Sequence, residues 1–176
     1  LLGMLQSAFA QSISCSGTVT GTFDDVTVSG ATCTLRASTV RGSVQVTNGG
    51  VLTTAGVTQV SGNILADGGG DVSLAGQLTV LGDVSMINSA AKLTVGPSTT
   101  LTSLKTQSFG DVIIRGSVGS IESISSKALT VNGGRVSPGE LKTLSATGQL
   151  TLCGAVLNGG LSVLESSAAV RAVVST

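Results

Sequence analysis

The sequence predicts an all-β fold of one architecture, a single-stranded parallel β-helix, or β-solenoid, of about eight coils of roughly 20 residues. Three observations point there. The first is a column of apolar residues at Val44, Ile64, Val84, Leu104, Ile121, Leu141 and Leu161, in which five of six spacings are 20 and one is 17. The second is a parallel column at Cys33, Leu52, Val72, Leu93, Val112, Leu129, Leu150 and Val170, with steps of 17 to 21. The third is glycine. It stands two places before most members of the first column, at Gly42, Gly62, Gly82, Gly119, Gly139 and Gly159, with Thr102 as the exception. A further series follows the second column at Gly56, Gly76, Gly96, Gly116, Gly134 and Gly154.

Composition agrees with many short strands and tight corners. Hydrophobic residues make up 41% of the 176 residues but aromatics only 2%, so the apolar content is Val, Leu, Ile and Ala. β-Branched residues favour extended backbone, and the 25 glycines supply corners. Scarce aromatics suggest a core too narrow for large rings. Stretches such as Gly62–Ala66 and Asp71–Ala75 alternate inward and outward, joined by the turn Asp67-Gly68-Gly69-Gly70, with Asn48-Gly49-Gly50 in the same place one coil earlier. A lone coil cannot bury its apolar face; stacked coils share one core. An antiparallel sandwich also has short strands, but a fixed period in four residue columns weighs against it.

The first ten residues, Leu1 to Ala10, end in the small-x-small triplet Ala8-Phe9-Ala10 behind an apolar run. Residues 1–12 therefore read either as the remnant of a signal peptide or as a retained segment that covers an end of the solenoid or docks on a neighbour. Residues 13–176 form the β-helix domain. No segment reads as a transmembrane span. Cys15 and Cys33 lie about one coil apart, which stacks them within disulfide range. A bridge between them is expected, two buried free thiols being the alternative, and a bridge suits an exported protein. Cys153 is left as a small core or corner residue.

The stretches Val60-Ser61-Gly62-Asn63-Ile64-Leu65-Ala66 and Val80-Leu81-Gly82-Asp83-Val84-Ser85-Met86 resemble the bactofilin repeat, over residues 38 to 164 at the level of repeat pattern. The resemblance implies a right-handed coil and end-to-end polymerisation into nonpolar filaments without nucleotide. The chain differs from that family in its export-like leader and paired cysteines, features that fit secreted β-solenoid proteins of similar repeat.

The chemistry for catalysis is thin. With no histidine, nucleophilic triads and most zinc sites are excluded. Asp24-Asp25 and Asp67 read as turn residues bonding their own backbone rather than as an acid/base pair, and Asp67 and Asp71 are too few ligands for a calcium site. No cofactor is expected. Nine basic and nine acidic residues give zero net charge, unlike a nucleic-acid binder.

The expected function is a non-catalytic, secreted structural subunit that assembles with itself head to tail into filaments or a cell-surface layer. Its contact residues would be Leu1, Leu2, Leu5, Phe9 and Ile13 at one end, and Val170, Ala172, Val173 and Val174 at the other, where the sequence is still apolar and strand-like. The alternative is a surface binding module, glycan-binding in the manner of an adhesin, or ice-binding. Its surface would be the outward ladder Thr34, Thr53, Ser73, Thr94, Thr130 and Thr151, interrupted by Ile113. A cell-wall or matrix glycan is the expected further partner.

Overall fold

The structure is a computed structural model that describes residues 11–89, 91–144, 148–164 and 169–173. Twenty strands form one sheet wound on itself, and every pairing between them is parallel. No helix among the described residues is long and apolar enough to cross a membrane.

Each coil passes three ladders. Both columns read from the sequence stand in register. Val44 pairs with Ile64, Ile64 with Val84, Val84 with Leu104, and so on to Leu161. Val26 and Ile13 extend that ladder backwards. Cys33 likewise leads through Leu52 to Val170. A third ladder joins Phe23, Val40, Val60, Val80, Leu101, Val118, Val136 and Leu157. These seven successive pairings enclose about seven turns, one fewer than a uniform coil of 20 residues suggests. The coil is not uniform: it is only 13 residues from Ile13 to Val26 and 17 from Leu104 to Ile121.

The core is a single file of aliphatic side chains, with Leu35, Leu52, Ile64, Leu74, Leu93 and Leu141 almost wholly buried. It is less narrow than the composition suggests. Phe109 is also buried, and Phe23 packs partly against the same core. Phe109 ends the strand Thr99–Phe109, and Phe23 lies within the strand Gly17–Ser29.

Glycine acts differently in its two series. At Gly42, Gly62, Gly82, Gly119, Gly139 and Gly159 the backbone is not left-handed. What these positions require is close approach. A Cβ on Gly62 would stand 2.5 Å from the carbonyl oxygen of Gly42, and one on Gly139 would stand 2.8 Å from that of Gly119. The corner backbones hydrogen-bond directly, Gly62 N–H donating to Gly42 O at 2.8 Å and Gly82 N–H to Gly62 O at 3.2 Å. Thr102 escapes because the register slips there: Leu101 pairs with Val80 but Ser103 with Asp83. The Thr102 hydroxyl then donates to the carbonyls of Val80 and Leu81, at 3.1 and 2.9 Å.

One column of left-handed positions lies between the Val44 and Leu52 ladders, and Gly56, Gly76 and Gly154 of the second glycine series are left-handed as well. Gly30, Asn48, Gly68, Asn88, Ser108 and Ser125 all have φ between 49° and 60°. Asparagine tolerates this conformation, and here it also bonds to the previous coil. Asn48 Nδ2 donates to Ser29 Oγ at 2.9 Å, and Asn88 Nδ2 to Asp67 Oδ1 at 3.0 Å. Serine gains less from the conformation. Ser125→Gly is expected to raise stability by ~0.5–1 kcal/mol, the left-handed penalty relieved less the added chain entropy. Urea unfolding measures it, and a lowered midpoint would show that Ser125 is not strained.

Candidate functional site

The first turns are stapled covalently. Cys15 and Cys33 form a disulfide with a Cα–Cα distance of 5.5 Å, and both are buried. Cys33 pairs in the ladder with Gly17, so the bridge ties the first described turn to the second. Cys153 is a free thiol, partly exposed at the end of the strand Leu150–Cys153, just before the left-handed Gly154. It is a corner residue, not a core residue.

The carboxylates bond across coils rather than within their own turns. Asp25 Oδ1 accepts the N–H of Ser43 at 2.8 Å, and Asp71 Oδ1 accepts that of Lys92 at 2.9 Å. Ser43 Oγ in turn accepts the N–H of Asn63 at 3.1 Å, and Asn63 Oδ1 that of Asp83 at 2.8 Å. Asp83 Oδ1 then accepts from Ser103 Oγ at 2.5 Å. A stair of side chains thus climbs the corner beside the Val44 ladder, each rung satisfying the next. The stacking geometry explains the correction: at a glycine corner the nearest free N–H belongs to the neighbouring coil.

Other polar side chains lie inside. In the inward column Val46, Ala66 and Met86 are followed by Thr106, Ser123 and Thr143. Thr106 Oγ1 donates to Ser123 Oγ at 3.0 Å and lies 2.9 Å from Ser126 Oγ, all three groups being buried. Nothing in the strand pattern marks these as core positions, because Ser and Thr suit either face of a strand.

On the outside, the hydroxyl ladder is real in register. Thr34, Thr53, Ser73, Thr94, Ile113, Thr130 and Thr151 pair in succession, and Thr18 precedes Thr34. These side chains are half-buried. The outward residue two places earlier in each coil is Thr32, Val51, Asp71, Lys92, Asp111 and Ala128 in turn, so no second threonine column runs alongside.

The outer side of the Val44 ladder carries three charges in successive coils, Lys105, Glu122 and Lys142. Glu122 lies between Lys105 and Lys142, at 3.3 and 3.8 Å. These exposed pairs contribute little to stability. Beside them a groove of about 450 Å³ opens across five coils. Among the described residues no cluster of three or more His, Cys, Asp or Glu is arranged to hold a metal ion.

Of the residues expected at the solenoid ends, Leu1, Leu2, Leu5, Phe9 and Val174 lie outside the described residues. Ile13 is in the strand Gln11–Ser14, paired with Val26 and packed partly against the core. The strand Val170–Val173, which includes Ala172, pairs with Leu150–Cys153 and so adds a further rung.

Compared with protein-family models, with curated proteins and with solved structures, the chain matches none.

Proposed function

We propose that the chain is a non-catalytic structural subunit of an extracellular assembly, in which copies stack head to tail and continue each other's ladders. The observation that carries this reading is a group of exposed aliphatic side chains, Val156, Leu161 and Leu164, at 47%, 45% and 48%. In this reading a second copy covers them. A contact of one end on the other does not close on itself, so it generates an open filament.

Three features support the same reading. Asp25, Asp67, Asp71 and Asp83 are each engaged in hydrogen bonds between coils, which is stacking work rather than acid/base work. The disulfide suits an oxidising compartment. The bactofilin-like repeat points to end-to-end polymerisation.

Sedimentation velocity across a concentration series tests the proposal. The protein is expected to form species larger than a monomer as concentration rises, and Leu161→Lys is expected to keep the fold and lose them. Equal association by the Leu161→Lys protein would refute the assignment of that contact.

A further inference from the structure

The sequence Asn-Gly-Gly occurs three times, beginning at Asn48, Asn132 and Asn158. In each, the asparagine and the glycine that follows it are exposed. A glycine in that place has no Cβ to keep its backbone nitrogen away from the asparagine side chain. As sequence the three sites are alike. They differ in what holds the glycine N–H.

At the first two sites the N–H is tied to the next coil. Gly49 N–H donates to Gly68 O at 2.8 Å, and Gly133 N–H donates to Cys153 O at 2.8 Å. Gly159 stands over Gly139 in the corner column. There Gly139 N–H donates to Gly119 O at 2.8 Å, but the Gly159 N–H makes no backbone hydrogen bond among the described residues. The asparagine side chains do not make this distinction. Asn158 Nδ2 donates to Ser137 Oγ at 3.1 Å, much as Asn48 Nδ2 donates to Ser29 Oγ at 2.9 Å.

We infer that Asn158 is a site of spontaneous deamidation, and that the fold protects Asn48 and Asn132 from the same reaction. The Gly159 nitrogen loses its proton to solvent and attacks Cγ of Asn158. The Cγ–Nδ2 bond breaks, a proton returns from solvent to the departing nitrogen, and ammonia leaves behind a cyclic imide. Water then opens the imide at either carbonyl. One opening leaves a side-chain carboxylate, and the other leaves an isoaspartyl link with the main chain running through the former side chain. Neither needs an oxidant or a reductant. At Asn48 and Asn132 the attacking nitrogen is released only when the contact with the next coil opens, and paired strands open rarely. The product carries a negative charge between Val156 and Leu161 along the chain, two of the exposed aliphatic residues. Its formation does not depend on how copies stack.

Peptide mapping by mass spectrometry tests this, after the full chain is incubated at mildly alkaline pH at the dilute end of the sedimentation series. In the folded protein Asn158 is expected to convert at least about tenfold faster than Asn48 or Asn132, whose glycines must first be freed by local opening. In guanidinium chloride all three are expected to convert at similar rates, because each is followed by the same Gly-Gly. The inference is overturned if Asn48 or Asn132 converts as fast as Asn158 in the folded protein. It is equally overturned if Asn158 stays intact while the unfolded chain converts, or if Asn158 keeps its lead after unfolding. Sedimentation reads filament formation separately, so neither result decides the other.

Discussion

Gly62→Ala is expected to destabilise the protein by about 3 kcal/mol, the upper part of the range for forcing atoms into a packed site. The added methyl would meet the Ser43 hydroxyl and also backbone that cannot turn away, 2.5 Å from the oxygen of Gly42 and 2.7 Å from its carbonyl carbon. Relief requires two coils to separate at a corner where Gly62 N–H donates to Gly42 O and Gly82 N–H to Gly62 O. Stability in a stacked repeat is shared between neighbours, so parting one interface weakens the coils on both sides. Thr102 supplies the control. It occupies the corresponding corner with a full side chain because the register slips beside it. Thr102→Ala removes one hydroxyl donor shared between two carbonyls and is expected to cost about 1 kcal/mol. Urea unfolding monitored by circular dichroism measures both. Equal losses for the two variants would show that close backbone approach is not what the glycine column provides.

Removing the disulfide as Cys15→Ala/Cys33→Ala is expected to cost about 3 kcal/mol, because it releases a loop of 18 residues in the unfolded chain. The damage should also be local. Ile13–Val28 forms the first described turns, which pair with Thr32–Val40 and Val44–Thr47, and the bridge adds a covalent tie between them. Hydrogen exchange should therefore lose protection there while the strands from Leu52 to Val136 keep theirs. A loss below 1 kcal/mol, or one spread evenly over all coils, would contradict the role of a staple at the first turns.

Two of the three ladders were legible because their inward residues are aliphatic at a steady interval and glycine marks the place two residues ahead. The third was not, although Val60 and Val80 sit inside the very repeats that resemble bactofilins. Its inward places mix Val with Thr58 and Thr99, both buried and bonded to carbonyls, while Val57 and Leu81 point outward and are exposed. The alternation is therefore blurred along this ladder. The cysteine bridge was legible because its spacing is one coil. The partners of Asp25, Asn63 and Asp71 were not, because they depend on which N–H lies one coil away at a corner. The groove was hidden for a related reason: which outward residues are neighbours, Ser85 with Lys105 and Asp83 with Ser103, depends on the slip at Thr102.

Head-to-tail continuation of the ladders is the central claim, and electron microscopy of the purified protein at high concentration tests it most directly. The account predicts filaments one solenoid wide whose axial repeat at the strand level is about 4.8 Å, unbroken from one copy to the next. A sample that stays monomeric and free of filaments at every concentration would contradict it.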